Sequence, residues 1–241
     1  MTARRIAIVV GVGAEAGLGG ALCLRFGREG FHVLVAGRTP VRLEAIARAI
    51  RDTGGQATAV ACDTTVEADV VRLFDAAGTA PEIVVFNAGN NRMANLAEME
   101  AAFFEDTWRV ACYGGFLVGR EAARRMAPAG RGTVVFTGAT GSLRGKPPFI
   151  AFASAKAGLR ALAQGMAREF GPQGIHVAHV IVDGGIDGER LRVGLPAFVA
   201  SKGEDGLLKP EAIADAYWFL HQQDRTAWTH ELDLRPYKEA F

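Results

Sequence analysis

The stretch Ile6-Ala7-Ile8-Val9-Val10-Gly11-Val12-Gly13-Ala14-Glu15-Ala16-Gly17-Leu18-Gly19 decides how the rest of the chain is read. An apolar, mostly β-branched run passes straight into a glycine-rich turn, the pattern of a buried strand that breaks and continues as a helix. Absent side chains at Gly13, Gly17 and Gly19 let the backbone approach a pyrophosphate, and the N-terminus of the next helix supplies N–H groups and a favourable dipole. The preceding Arg4-Arg5 pair superficially imitates a signal peptide. Glycines and Glu15 stop the apolar run well short of the roughly 20 residues a spanning helix needs, so it is read as a first strand.

Outward from this turn, short Val/Ile-rich runs alternate with longer amphipathic stretches, as expected of βαβ units closing a parallel sheet. Strands are expected near Arg5–Gly11, His32–Gly37, Gln56–Cys62, Glu82–Asn87, Gly132–Gly138, Ile175–Val182 and Glu231–Leu234. Two long helices are expected, from about Leu96 to Met126, closed by Pro128 and Gly130, and from about Phe149 to Phe170, closed by Gly171 and Pro172. The fold class is therefore α/β: a doubly wound parallel sheet with helices on both faces, one Rossmann domain over residues 1–241. Residues 184–210, rich in glycine and mixed charge, are expected to form a mobile lid over a ligand.

Composition narrows the function classes. The 241 residues carry 27 Lys and Arg against 26 Asp and Glu, so the overall charge advertises neither nucleic acid nor an anionic membrane as a partner. The three cysteines, Cys23, Cys62 and Cys112, are far apart and form no CxxC, which argues against a disulfide scaffold or structural zinc and for a reducing cytoplasm. No metal site is expected, because His176 and His179, three apart on a strand, point to opposite faces. HExxH, GxSxG and GxxxxGK[ST] are absent, and the remaining histidines are read as structural or solvated.

A second nucleotide signal closes the second strand. Ala36-Gly37-Arg38 offers no carboxylate for an adenosine ribose, whereas the planar, permanently charged fork of Arg38 suits a 2'-phosphate. NADP(H) is thus favoured over NAD(H) as cofactor. Asp63 has two readings, an acceptor for the adenine amino group or an ordinary turn aspartate.

These residues resemble the short-chain dehydrogenase/reductase family, whose Gly-x-x-x-Gly-x-Gly turn and Asn-Ala-Gly after the fourth strand read here as Gly13, Gly17, Gly19 and Asn87-Ala88-Gly89. The likeness runs from about Arg5 to Leu234. It implies that Gly13, Gly17, Leu18, Gly19, Asn87, Ala88 and Gly89 line the cofactor. Val12 stands in place of a usual threonine, and Phe86 in place of a usual asparagine.

The catalytic stretch departs further. The family pairs Tyr-x-x-x-Lys with a serine thirteen residues before the tyrosine; the corresponding residues here are Phe152, Lys156 and Ala139, and its helix asparagine corresponds to Cys112. Residues four apart share a helix face, so Phe152 and Lys156 point into one cleft. A phenylalanine has no proton to exchange. Retention of Lys156, which in the family also binds the nicotinamide ribose, implies cofactor binding with a dismantled or relocated proton relay. Replacement donors are sought among Tyr113, Thr137, Thr140, Ser142, Ser154 and Asp183; Thr140 and Ser142 are the better placed, and Tyr113 is expected to turn into the core. Cys112, a lone thiol with no cation near it in sequence, is read as inert packing.

Two functions follow: an NADP(H)-dependent oxidoreductase acting on a small-molecule carbonyl or alcohol with an atypical relay, or a catalytically inactive NADP(H)-binding sensor or partner-support protein. Small residues along the last long helix, Ala153, Ala155, Ala157, Ala161, Ala163 and Ala167, together with the family's habit of associating through its fourth and fifth helices, imply a homodimer or homotetramer.

Overall fold

Strands that are apolar at every position need cover on both faces. β1 (Ile6–Val10), β2 (His32–Gly37), β4 (Ile83–Phe86) and β6 (Ile175–Val182) are buried at every residue, as is β5 (Gly132–Thr137) after its first. With β3 (Gln56–Ala61) and β7 (Glu231–Leu234) at the edges they form one seven-stranded parallel sheet of order β3-β2-β1-β4-β5-β6-β7. This computed structural model describes residues 4–239.

Helices α1 (Leu18–Arg28), α2 (Pro40–Asp52) and α9 (Pro210–Gln222) cover one face; α3 (Glu67–Asp75), α5 (Gly114–Met126) and α6 (Ile150–Phe170) cover the other. Alternate residues of β1 divide between the two cores. Ala7 and Val9 meet Leu22, Phe26, Leu43 and Ile46, while Ile6, Ile8 and Val10 join the side of Leu73, Phe74, Leu117 and Leu159. Each fully buried side chain of this size contributes about 1.5–3 kcal/mol.

The strand and helix order agrees with the sequence expectation, with strand ends trimmed by a residue or so. The expected helix from Leu96 to Met126 needs correction. A short 3-10 turn spans Leu96–Glu98, Met99 and Glu100 are extended, and helix resumes as α4 (Ala101–Trp108), a π turn (Arg109–Tyr113) and α5. Glu100 is the N-cap residue: its backbone is extended (φ −69°, ψ 144°) while its carbonyl accepts from Phe103 N–H at 3.0 Å. The segment 184–210 folds as two short helices, α7 (Glu189–Gly194) and α8 (Pro196–Lys202), closed by a parallel bridge between Ile186 and Leu208.

Where β1 ends, Gly11 has φ +85°, and a Cβ there would sit 2.4 Å from Ala88 N. Gly13, two residues on, has nothing within 4 Å of the Cβ position. Thermal unfolding should therefore show Gly11→Ala losing at least about 1–3 kcal/mol from backbone strain alone, and Gly13→Ala staying within about 0.5 kcal/mol of wild type. Equal melting temperatures for the two variants would contradict this account of the turn.

Candidate functional site

The strand order reverses between β1 and β4, and in such sheets ligands bind outside the carboxyl ends of strands at that switch point. The glycine turn and Asn87-Ala88-Gly89 face each other there. Asn87 N–H donates to Val10 O at 2.9 Å and its Nδ2 donates to Gly11 O at 3.3 Å. Gly17 is the N-cap residue of α1, whose first residue Leu18 is buried, and a Cβ on Gly19 would approach Val12 Cα to 2.9 Å. Gly13 borders open space, and Arg38 is exposed with no hydrogen bond or ion pair to another described residue. Asp63 Oδ1 accepts from the N–H and the hydroxyl of Thr65, at 2.9 and 2.8 Å, a turn arrangement.

The segment 184–210 reaches across this crevice. Glu189 N–H donates to Ala16 O at 2.7 Å, the Glu189 carboxylate lies 3.4 Å from Arg42 on α2, and Arg190 donates to Asn91 Oδ1 at 2.9 Å. It thus touches both lips of the groove.

One strand further, α6 presents Phe152 and Lys156 on a shared face, as helical spacing requires. Lys156 is 3% exposed, and its Nζ donates to Thr137 O at 2.7 Å. Burial lowers its pKa to about 8, with the Cys112 thiol opposing the shift. The ammonium lies 5.8 Å from the centre of the Phe152 ring and 3.3 Å from the Cβ position of Gly89. Lys156 therefore joins the carboxyl ends of β4 and β5. Cys112 sits on the π turn against Gly158 of α6, with a cation nearby after all, since Lys156 opposes the burial that pushes its thiol up.

Ala139 follows β5 in an extended conformation. Its N–H donates to Ser142 Oγ at 3.1 Å, Ser142 lies 3.3 Å from His179 Nε2, and His179 Nδ1 lies 3.0 Å from Glu231 Oε2. Arg160 of α6 closes the chain with two bonds to Glu231, at 2.6 and 2.7 Å. The assignment that satisfies every group has Ser142 donating to Nε2 and Nδ1–H donating to the carboxylate. His179, fully buried, has its pKa pushed down to about 4 by desolvation, and Arg160 holds the Glu231 carboxyl below its usual range. Ser142 is thereby committed to holding the loop. Sequence reasoning missed Glu231 and Arg160, which carry no local signal and lie 71 residues apart.

The other donors sort by geometry. Thr137 Oγ1 pairs with Tyr217 OH at 2.9 Å inside the core, Ser154 is exposed on α6, and Tyr113, partly buried, packs against the core and stacks on Trp108. Thr140 is different: its hydroxyl donates to Asp183 Oδ1 at 2.5 Å. Asp183, at the carboxyl end of β6 and 1% exposed, also faces Arg144 at 3.0 Å and Arg235 at 3.5 Å. His176 donates to Thr229 O at 2.8 Å and stacks on Trp228, away from His179, as strand alternation requires.

Comparison with known proteins agrees with this geometry. Residues 5–191 match the family described as short chain dehydrogenase. An uncharacterised oxidoreductase of Bacillus subtilis (strain 168), YuxG, is 36% identical over 194 residues, 78% of this chain; the chain spans 28% of the length of that relative. A cis-4-hydroxycyclohexanecarboxylate dehydrogenase of Sinomonas cyclohexanicum is 32% identical over 227 residues, 90% of this chain and 89% of the relative. A crystal structure of a short-chain dehydrogenase from Rhodopseudomonas palustris superposes with a TM-score of 0.81 at 38% identity, covering 97% of this chain and 100% of that one.

Proposed function

The chain belongs to the short-chain dehydrogenase/reductase family of oxidoreductases, and we propose that it uses NADP(H) to interconvert a small-molecule alcohol and carbonyl without the family's phenol. The observation that carries this reading is Lys156, buried yet bonded through Nζ to one carbonyl, Thr137 O, with its remaining N–H groups beside Gly89. A buried ammonium retains such an arrangement at a cost in desolvation, and a ribose hydroxyl is an acceptor suited to it. The open space at Gly13 and the N-terminus of α1 fit a pyrophosphate, and Arg38 fits a 2'-phosphate. When bound, the nicotinamide supplies hydride chemistry; the chain's part is to hold it, exclude water and move one proton.

With Phe152 and Ala139 in the cleft, a carbonyl substrate meets no side-chain acid at either position. That same replacement favours a second reading, an inactive NADP(H)-binding sensor or support protein. A screen for NADPH consumption over small ketones, aldehydes and enones, and for NADPH formation over secondary alcohols including cis-4-hydroxycyclohexanecarboxylate, separates the two. The three cysteines are free and buried, which suits the reducing cytoplasm proposed as its compartment. No helix among the described residues is long and apolar enough to cross a membrane.

Self-association is proposed on the helical side. Phe104, Trp108 and Phe116 are exposed along α4 and α5. The alanines of α6 divide: Ala153, Ala155 and Ala163 are buried in the chain's own core, while Ala157 and Ala161 form an exposed small-residue strip. Homodimer or homotetramer formation would bury both features.

Three outcomes test these readings. NADPH should bind more tightly than NADH, and Arg38→Ala should remove most of the difference, about 1.5–3 kcal/mol for a charge-assisted contact, by fluorescence titration; equal affinities in the wild type would sink the 2'-phosphate assignment. Phe152→Tyr with Ala139→Ser should raise ketone reduction at least about 10-fold, and Lys156→Ala in that background should abolish the gain. An unchanged rate would mean that the phenol position is not where the proton is handled. Light scattering at micromolar concentration should give a multiple of 25.6 kDa, and the monomer mass would reject association.

A further inference from the structure

The site leaves one buried carboxylate unexplained. Asp183 is 1% exposed at the carboxyl end of β6, beside the strand that leads to Thr140 and, through Thr137 O, holds Lys156. It accepts from the Thr140 hydroxyl at 2.5 Å and from Arg144 at 3.0 and 3.3 Å, and Arg235 lies at 3.5 Å while also bridging Asp233. A buried carboxylate left unpaired is costly, and three residues, Thr140, Arg144 and Arg235, are arranged to prevent it.

Thr140 links that carboxylate to the loop that runs beside Phe152. It is only partly buried, and its backbone is fixed by a 3-10 turn in which its carbonyl accepts from Leu143 and Arg144 N–H, at 3.1 and 3.2 Å. The next residue, Gly141, abuts Phe152: a Cβ there would lie 3.4 Å from the ring. A hydroxyl has one hydrogen and two acceptor positions. The Thr140 hydrogen is spent on Asp183, so on this partly exposed residue the oxygen's free lone pair is an acceptor, able to receive the O–H of an alcohol.

We propose that Asp183, acting through the Thr140 hydroxyl, takes the proton from an alcohol substrate in place of the missing phenol. This rests on the oxidoreductase reading above. Oxidised nicotinamide, when bound, would accept the hydrogen and electron pair that leave as hydride when the substrate C–H bond breaks and its C–O single bond becomes a carbonyl. The substrate O–H proton bonds to Thr140 Oγ1, whose own hydrogen moves to Asp183 Oδ1. Once the carbonyl leaves, Asp183 returns that proton through the Thr140 hydroxyl to water entering the cleft, so that each alcohol yields one carbonyl, one reduced cofactor and one released proton. A carboxylate acceptor suits oxidation, whereas a site of this kind has no ready acid for reducing an ordinary ketone.

The test compares wild type, Thr140→Ser, Thr140→Val and Asp183→Asn with NADP+ and the secondary-alcohol panel, alongside melting temperature and NADPH affinity by fluorescence. Wild type should oxidise at least one alcohol. Thr140→Ser keeps the relay and should stay within about fivefold. Thr140→Val, with Asp183 and both arginines in place, should lose about 100-fold or more in kcat, with NADPH affinity unchanged within about twofold and a cooperative melting transition retained. Asp183→Asn should fall as far if it folds; the threonine pair decides the matter if it does not. Turnover by Thr140→Val near the wild-type rate, or a wild type that binds NADPH yet oxidises no alcohol, overturns the relay. Failure of wild type to bind NADPH or NADP+ at all would instead remove the cofactor reading, and the relay with it.

Discussion

The contact of Gly11 with Ala88 is the constraint on which the site depends. A left-handed residue at the end of β1 turns the chain away from the sheet, and its missing side chain lets the backbone after β4 pass at a distance no Cβ would tolerate. Asn87 then ties the two strand ends with a backbone and a side-chain hydrogen bond to β1 and its turn. This juxtaposition places an open helix N-terminus and the loop after β4 on either side of one crevice. It also sets the distance from Gly89 to Lys156, which descends from α6 on the same face of the sheet.

Two buried charges occupy the carboxyl ends of β5 and β6, and the fold treats them differently. Lys156 has a single carbonyl partner and donors to spare, an arrangement completed by a ligand with oxygen acceptors. Asp183 has a hydroxyl and two guanidinium groups gathered from two other segments. Uncompensated charge at this depth is strongly destabilising, so each group that neutralises Asp183 also fixes the position of the loop that carries it. The parallel chain from Ala139 through Ser142, His179 and Glu231 to Arg160 does the same for the other end of that loop, and anchors it to the helix bearing Phe152 and Lys156. The loop after β5 is thus held from β6, β7 and α6 together. Such rigidity is what proton transfer requires, because donor and acceptor must already be aligned.

The sequence by itself determined the seven-strand alternation, the glycine turn, the Asn87-Ala88-Gly89 signal, Arg38 at the end of the second strand and the shared face of Phe152 and Lys156. Each of these rests on local periodicity or on spacing within a single element, where a short window contains all the physics. The break at Met99 and Glu100 was hidden because apolar periodicity continues across two extended residues. Tertiary structure alone decided which hydroxyl meets a carboxylate. Thr140 and Asp183 are 43 positions apart, and Glu231 is 52 from His179. Only the parallel pairing of β5, β6 and β7 brings those strand ends into register, and the cost of burying an unpaired charge or hydrogen-bonding group selects which side chains meet there.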